Sequence, residues 1–464
     1  MKRRRLRNAL FPLIALAALF LSAANYAQSG KMTVIGDSLV GETLNGEKIR
    51  TVIGNVKIFD KKATVTCDKS VQHLESGNID LFGNVVFVQD TIKLYTERAR
   101  YLSENKIGII DTTLLMITER DSIRADYGKY FFDDEIARFY GNVNARTDGK
   151  LLLADTLVYY RSEQKIFARG NVAVQDSASQ LFADTLLYFE KEKVTRAYGN
   201  VLLQNNENGA RSVAGFFLDS SKTKRSYLAR KPLVMQIDSA NDALDTLLVS
   251  AENFAFSRDS ANIMFARDSV KIIRGNFSLI ADSALFDKSE NYFVAVRKSD
   301  ENTPVVLWFE KTQIYGDTIS VFLSNNAIET AVISGNVSLI ENVDSSRFRY
   351  NQISGEQIKL RFRDNELVRM DVSGKTLDIY YLNDEGESQG LIKSSSNSAT
   401  IVFDSAGVAK VKLFGNPNSE FHPEKLIAGK ERDFLLPSFR IFKNKPDKKA
   451  FLRKLEEAEK KIRK

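Results

Sequence analysis

The sequence contains almost none of the side chains from which metal centres and nucleophilic active sites are built. Its 464 residues include one cysteine, Cys67, and two histidines, His73 and His422. A single cysteine excludes an intramolecular disulfide framework and a thiolate metal cluster. Two histidines far apart in the sequence offer little material for a metal site or a Ser-His-Asp triad. We therefore expect a protein that is not an enzyme and has no metal or other cofactor.

Proline and tryptophan are also scarce, whereas the other aromatic residues are abundant. There are seven prolines and one tryptophan, Trp308, against 30 phenylalanines and 16 tyrosines. With 43% hydrophobic residues, the chain is long enough for two or three domains with buried cores. An aromatic, proline-poor composition favours extended sheet over disorder or a helical bundle.

The net charge of +7 is concentrated at the two ends of the chain. The first seven residues include five basic and no acidic ones, and the segment from Arg440 to Lys464 holds eleven basic residues against four acidic ones. The residues between these ends therefore carry a net charge of −5. A slightly acidic body lacks the basic surface that binds phosphate backbones, so we expect no nucleic-acid partner.

The N-terminus has the pattern of a Sec-type signal peptide. Basic residues from Lys2 to Arg7 precede the apolar segment Ala9–Leu21, and the small residues Ser22-Ala23-Ala24 follow, with a second possible cleavage site after Ala27. The apolar segment is shorter than the roughly 20 residues that span a bilayer, and an uncleaved anchor is the alternative. We assign residues 1–27 to the signal peptide. The rest is expected in the periplasm, free or associated with the inner or outer membrane.

A repeat of 29 residues organises the first half of the sequence. The tripeptide Gly-Asn-Val begins at positions 29 or 58 residues apart, namely Gly54, Gly83, Gly141, Gly170 and Gly199. Two further sets keep the period of 29: the acids Asp68, Glu97, Asp126, Asp155 and Asp184, and the tyrosines Tyr101, Tyr130, Tyr159 and Tyr188. Because independent markers share one period, we interpret it as a structural repeat.

Each repeat contains two segments with the alternation of β-strands, separated by polar turns. A ten-residue strand spans roughly 33 Å, so 29 residues accommodate two strands and two turns. Alternation places side chains of one parity after each Gly-Asn pair on one face. The resulting candidate lipid-lining residues are Val56, Ile58, Val85, Phe87, Val172, Val174, Val201 and Leu203. Stacked repeats would join them into an apolar strip, which is either a filled core or an open groove.

The repeated polar positions have structural and functional interpretations. The row of acids could bind calcium or supply paired catalytic carboxylates, but no rung differs from the others, and we favour hydrogen bonding at turns and strand edges. The Gly-Asn pairs are interpreted as bends or bulges, where left-handed backbone is tolerated. The tyrosines are interpreted as packing residues rather than ligand-stacking ones.

The repeat becomes looser after Asn200. Gly275-Asn276, Gly335-Asn336 and Gly415-Asn416 echo the motif. We interpret Asn205–Ser212 as a boundary loop and the Gly- and Ser-rich Asn383–Ser398 as a long loop or insertion. The predicted domains are residues 28–205, a repeat β domain, 206–430, a diverged second one, and 431–464, a basic tail.

The tail changes pattern again. From Asp447 to Lys464 apolar residues recur at helical spacing among lysines and glutamates, which predicts a basic helix. Such a helix is either solvated on the surface of the protein or attached to an anionic surface such as a membrane or phosphorylated lipid.

These phased motifs resemble a known family. Recurrent Gly-Asn-Val together with Ala154-Asp155-Thr156-Leu157-Val158-Tyr159 is similar to the repeat of the OstA-like (organic-solvent-tolerance) family, and Ser354-Gly355-Glu356-Gln357-Ile358-Lys359-Leu360 resembles its other common form. The family includes the periplasmic lipopolysaccharide-transport proteins LptA and LptC and the N-terminal part of LptD. The resemblance extends over roughly Thr33 to Asn416.

The resemblance implies a fold and a function. The expected fold is all-β, with stacked antiparallel strands forming two open β-jelly rolls and a basic C-terminal helix. The expected function is to bind lipopolysaccharide and pass it along an apolar groove from the inner to the outer membrane. Its partners would be lipopolysaccharide and other Lpt-type envelope proteins joined end to end by β-augmentation. The chain is longer than a single-domain LptA-type protein, so a multi-domain bridge is expected.

Two other functions remain open on the sequence alone. A structural or adhesive β-repeat protein of the envelope would have a filled core and no lipid cargo. A β-helical carbohydrate enzyme would need a cluster of acidic and basic residues in one cleft, and the sequence shows no such cluster.

Overall fold

The computed structural model describes residues 33–59, 63–89, 91–119, 121–147, 149–240, 243–259, 262–298, 303–324, 327–344, 346–364, 366–384, 387–405 and 407–462. The predicted signal peptide lies outside these residues. The described chain consists almost entirely of antiparallel strands and ends in a basic helix, so the expected fold class is confirmed. Contacts divide it into two units, one of residues up to Lys224 together with those from Ala458, the other from Arg225 to Glu457.

The described residues of the first unit form sixteen strands. They are β1 Thr33–Ile35, β2 Ser38–Leu44, β3 Glu47–Phe59, β4 Thr64–His73, β5 Ile79–Gln89, β6 Ile92–Leu102, β7 Ile107–Ile110, β8 Leu114–Ile117, β9 Asp121–Ala125, β10 Tyr127–Phe131, β11 Ile136–Thr147, β12 Lys150–Tyr160, β13 Lys165–Gln175, β14 Ser179–Phe189, β15 Val194–Asn205 and β16 Arg211–Ser220. From β11 to β16, strands that follow each other in sequence pair with each other. Each 29-residue repeat is therefore one hairpin.

Within the described residues, the second unit contains the other sixteen strands and the helical segments as far as Glu457. The strands are β17 Arg225–Ala229, β18 Leu233–Ala240, β19 Ala243–Ser250, β20 Asn253–Ser257, β21 Ile263–Arg274, β22 Phe277–Asp287, β23 Tyr292–Val296, β24 Val305–Phe309, β25 Thr312–Gly316, β26 Thr318–Ser324, β27 Ala327–Asp344, β28 Arg349–Arg363, β29 Glu366–Asp384, β30 Glu387–Asp404, β31 Gly407–Phe414 and β32 Asn418–Pro423. Helix α1 (Glu424–Ile427), a 3₁₀ turn (Glu431–Phe434) and helix α2 (Lys448–Ile462) follow.

Every Gly-Asn pair of the first-half repeat forms a β-bulge. On β13, Gly170 and Asn171 together lie opposite the single residue Asp184 of β14, because the register passes from the Arg169–Thr185 pair directly to Val172–Ala183. Both bulge residues have left-handed backbone, with φ of 77° and 47°. A bulge of this kind bends its strand. The interpretation of the Gly-Asn pairs as bends or bulges is therefore confirmed for the repeat.

The acidic ladder holds these bulges in place. The Asn171 amide donates hydrogen bonds to both carboxylate oxygens of Asp155, at 3.2 and 3.1 Å. The same bond joins four other pairs, namely Asn55–Asp37, Asn84–Asp68, Asn142–Asp126 and Asn200–Asp184. The interpretation of these aspartates as hydrogen-bonding residues is confirmed. We call this row of Asp and Gly-Asn residues the seam.

The degenerate repeat has a different contact at the seam. Where a Gly-Asn pair would follow Glu97, the chain has Thr112-Thr113, and the Thr96 and Thr112 hydroxyls lie 2.8 Å apart. The strand is also divided at this point, into β7 and β8.

The seam recurs in the second unit with altered residues. Gly335-Asn336 lies beside Asp317, whose backbone N–H donates to the carbonyls of Ser334 and Gly335. On β21 the left-handed pair is Asp268-Ser269. Gly275-Asn276 is a bend rather than a bulge, because it forms the turn between β21 and β22, where Gly275 has φ of 53°.

The predicted long loop at Asn383–Ser398 is wrong. Most of it belongs to β30, which pairs with β29 along almost its whole length. Its serines suggested a loop, but Ser394 and Ser396 are buried in the sheet. At the predicted boundary loop, β15 and β16 pair as a hairpin inside the first unit. The domain limits given above stay a prediction.

The C-terminal segment of the second unit, residues 434–442, is held against the sheet by glutamine side chains that form hydrogen bonds with its backbone. The Gln352 amide accepts a hydrogen bond from Leu436 N at 2.9 Å and donates to Phe434 O at 3.2 Å. Gln313 makes the equivalent pair of bonds to Arg440 and Phe442. These bonds give the segment the ladder partners that a strand would have supplied.

Helix α2 carries the predicted basic residues and also has fixed contacts. Leu455 is buried, the Lys454 ammonium donates to Lys231 O, and Arg211 forms an ion pair with Glu459 at 2.7 Å. Among the described helices, none combines the length and the apolar character needed to cross a bilayer.

We expect Gly170→Ala to lower the free energy of unfolding by about 2–4 kcal/mol, because an alanine has both a left-handed backbone and a collision to accommodate. Its Cβ would lie 2.2 Å from Asp155 Oδ2 and 2.9 Å from Asp155 Cβ. Gly149→Ala is the matched control, since Gly149 has φ of 79° with open space around its Cβ, and it should cost only about 1 kcal/mol. Urea unfolding followed by circular dichroism measures both, and equal losses would contradict the role of the seam.

Candidate functional site

An apolar cavity of about 460 Å³ lies within the second unit. Cavities of this size commonly hold small ligands. Its walls belong to β21–β31, including the four long strands β27 to β30. Aliphatic and aromatic side chains make up most of the lining. This cavity is our candidate functional site.

Two rows of side chains in register form the walls. The first row runs Ile272, Leu279, Leu307, Ile314, Leu339, Ile353 and Asp378. The second row runs Phe293, Val321, Ala331, Leu360, Met370, Ile401 and Val411. Strand β27 supplies Leu339 to the first row and Ala331 to the second, on either side of its bulge at Gly335-Asn336. The seam therefore allows a single strand to line the cavity twice.

One end of the cavity is polar. A third row lies two residues farther along the strands than Leu307 and Leu339. It contains the stacked rings of Phe277 and Phe309, with centroids 4.5 Å apart, and continues with polar side chains. The Asn351 amide donates to Glu341 at 3.0 Å. Other polar lining residues are Arg274, Glu310, Lys311 and Thr312. The cavity thus has the chemistry for an amphipathic molecule with an apolar body.

Asp378 interrupts the apolar wall. Its strand neighbours in register are Ile353 of β28 and Ser394 of β30. Burial raises the pKa of the Asp378 carboxyl to about 6, and the hydrogen bond from the Ser394 hydroxyl opposes that rise. Its Oδ1 atom is buried and accepts no hydrogen bond within the described residues. An ionised carboxylate is therefore disfavoured at this position.

The eight predicted lining residues all belong to the first unit, and none of them lines this cavity. Val56, Val85, Val172 and Val201 are at most 1% exposed, and Ile58 and Val174 are also buried. Phe87 and Leu203 are partly buried and pack against the same hydrophobic cluster. The alternation thus brings the eight residues to one apolar interior. Their contact with lipid stays a prediction.

The cavity in the second unit was missed because its strands do not keep the 29-residue period. Two signals in the sequence could have indicated it. The long alternating segments around Leu339, Leu360 and Met370 are apolar at every second residue, and Asp378 occupies an inward position in one of them. An acid at an apolar position marks a site where burial and charge compete.

The two histidines and the cysteine occupy structural positions. His73 lies between two carboxylates, with Nδ1 3.0 Å from Glu47 and Nε2 3.1 Å from Asp80. His422 packs against Phe434, and Cys67 is a buried free thiol whose pKa burial raises to about 11. Over the part of the chain that the structure describes, no group of three or more His, Cys, Asp or Glu side chains could hold a metal ion.

The tyrosine ladder packs in the core of the first unit. Tyr130, Tyr159 and Tyr188 are at most 3% exposed, and Phe132 contacts Tyr130 and Tyr101 edge to face. The interpretation of these tyrosines as packing residues is therefore confirmed.

Comparison with known proteins supports the family resemblance over part of the chain. A family model described as "OstA-like protein" matches residues 34–131, which confirms the resemblance for that stretch. Among solved structures, the chain is similar to LptH of Pseudomonas aeruginosa, described as the LptA homologous periplasmic component of the lipopolysaccharide transport device. The identity is 15%, the match covers 34% of this chain and 94% of that chain, and the TM-score is 0.19. No curated protein matches the sequence.

We expect Asp378→Asn to stabilise the protein at pH 8 by about 1–3 kcal/mol. The folded-state pKa lies above the usual value of 3.8, so burial of the ionised form destabilises the folded state above pH 6 and has no effect below about pH 4. Urea unfolding at pH 8 and at pH 4 measures the difference in the free energy of unfolding between the variant and the wild type. Glu366→Gln, on the exposed start of the same strand, is the control and should change neither value. A gain of equal size at pH 4 would contradict this account of Asp378.

Proposed function

We propose that this protein binds lipopolysaccharide and passes it along an apolar β interior from the inner to the outer membrane. The observation that carries this proposal is the cavity of the second unit, where two apolar rows face a common space and a polar end adjoins them. The match of residues 34–131 to the OstA-like family supports the same role for the first unit.

The physical need for such a cavity is large. Burial is worth about 0.8 kcal/mol per methylene, so an acyl chain of about twelve carbons loses on the order of 10 kcal/mol when it enters water. A carrier must therefore surround the chain with apolar side chains, as the rows through Leu339 and Leu360 do. The phosphates and sugars of the head group would lie near the polar end, where Arg274 and Lys311 supply positive charge.

The proposal includes a location and a mode of assembly. The N-terminal signal would export the chain to the periplasm, and α2 would bring basic residues to an anionic surface. Open strands at each end would pair with other envelope proteins of this type by β-augmentation. No catalytic step is involved.

The terminal strands expose apolar side chains, as docking edges would. On β1 and β2, Ile35, Leu39 and Leu44 are 52%, 64% and 56% exposed. On β31 and β32, Val411 and Phe421 are 53% and 58% exposed. Within the described residues, β1 and β2 pair only with β3, and β31 and β32 pair only with β30. Each of these four strands therefore has one edge without a strand partner among the described residues.

A structural envelope protein without lipid cargo is the second candidate. The observation that favours it is the extensive hydrophobic cluster of the first unit, in which the predicted lining residues are buried among one another. The two functions differ in whether lipid contacts the inward positions of either unit.

We expect a photo-crosslinking residue at Leu339 or Leu360 to capture lipopolysaccharide in cells, because these residues line opposite walls of the cavity. Val172 and Val201 test the first unit in the same way. Gln357, exposed on β28, is the control and should capture none. Immunoblotting with an antibody to lipopolysaccharide reads the result. Absence of capture at all four inward positions would exclude lipid cargo and leave the structural alternative.

We expect the double variant Leu39→Cys/Val411→Cys to form disulfide-linked ladders at high protein concentration. The reason is that the edge strand β2 of one copy would pair with the edge strand β31 of the next and bring the two cysteines together. The native Cys67 is buried and gives little background. Each single variant is a control and should stop at dimers. Non-reducing electrophoresis measures chain length, and a double variant that also stops at dimers would contradict pairing between the two edges.

A further inference from the structure

Asp378 differs from the other carboxylates that line the cavity. Glu310 and Glu341 are exposed at the polar end, whereas Asp378 lies in the apolar row, in register with Ile353 on one side and Ser394 on the other. Its carboxyl therefore faces the space that an apolar occupant would fill.

Among the described residues, the neighbours of Asp378 in register include no cation that could neutralise it. Strand β28 presents Ile353, strand β30 presents Ser394, and the Ser394 hydroxyl lies 3.0 Å from that of Ser419 on β32. The facing wall presents Leu360, Met370 and Ile401. The charged or titratable side chains elsewhere on the lining are Tyr380 on β29, Glu341 on β27, Arg274 on β21, and Glu310 and Lys311 in the turn between β24 and β25.

The solvation of the Asp378 carboxyl differs between the empty and the filled cavity. Although Oδ1 is buried, the Asp378 side chain as a whole is partly exposed and lines the cavity, so water in the empty cavity can solvate it in part. An apolar chain removes that water and offers no hydrogen bond, which disfavours the charged form further. The neutral acid has no such conflict, since it can keep its contact with Ser394.

We propose that Asp378 couples filling of the cavity to the uptake of one proton, so that the cavity binds an apolar chain when the carboxyl is neutral and releases it when the carboxyl ionises. The proton comes from solvent on binding and returns to it on release. This inference rests on the proposed function, because it assumes that an apolar chain occupies the cavity.

The pH window follows from the empty and the filled states. In the empty cavity burial places the pKa of Asp378 at about 6, and the occupant raises it further. Affinity is then constant below pH 5 and decreases as the pH rises above 6. Each unit by which the occupant raises the pKa lowers the affinity at high pH by up to about tenfold.

The experiment measures binding of 1-N-phenylnaphthylamine, an uncharged apolar fluorescent probe, to the full chain at pH 5 and pH 8. We expect the wild-type protein to bind about tenfold more weakly at pH 8. Asp378→Asn imitates the neutral acid and should keep the pH 5 affinity at both values. Glu366→Gln, the same kind of acid-to-amide change at an exposed position of the same strand outside the cavity lining, should behave as the wild type.

Ala331→Phe tests whether the probe binds in the cavity. The substitution introduces a ring into the second row of the lining and should abolish binding there. Equal wild-type affinity at the two pH values, with Ala331→Phe still blocking, would overturn proton coupling and leave the apolar cavity intact. Binding that Ala331→Phe does not reduce would instead count against the cavity as a cargo site, and so against the proposed function. A pH dependence that persists in Asp378→Asn would assign the coupling to another group.

Discussion

The hydrogen bond from an asparagine amide to an aspartate carboxylate on the preceding strand is the contact on which the rest of this structure depends. It holds two successive residues, such as Gly170 and Asn171, in left-handed backbone opposite a single residue of the next strand. Glycine is required at the first position because a Cβ would collide with the aspartate. Repeated on strand after strand, this contact produces a row of bends in register, and the side chains on both sides of it face one interior.

The two units use the same bend to different effect. In the first unit short repeats bring Val56, Val172 and their equivalents into one buried cluster. In the second unit the strands β27 to β30 are longer, and their two halves line a cavity. A lipid-transport protein needs apolar space as well as apolar residues, and the cavity of the second unit gives the proposed cargo that space. A carboxyl such as Asp378 in that space makes occupancy sensitive to protonation.

Much of the fold could be predicted because its signals are local and periodic. The spacing of Gly141, Gly170 and Gly199 identified the hairpin repeat, and the spacing of Asp126, Asp155 and Asp184 predicted a row of hydrogen-bonding acids, whose asparagine partners only the structure showed. The serines near Ser394 gave a false loop, because serine favours turns by local preference and is tolerated in a sheet when neighbouring strands satisfy its hydroxyl. The pattern could not distinguish a bulge from a turn at Gly275-Asn276, since the same dipeptide suits a hairpin turn.

From the sequence alone followed the class of fold, the repeat, the inward parity of residues such as Val172 and Val201, and the basic helix at the C-terminus. These properties depend on neighbours within about 30 residues, and periodicity expresses them directly. The tertiary structure decided where empty space remains, which carboxyl borders it, and that Gln313 and Gln352 bind the C-terminal segment. Those features arise from residues 20 to more than 100 positions apart, whose packing no local pattern encodes.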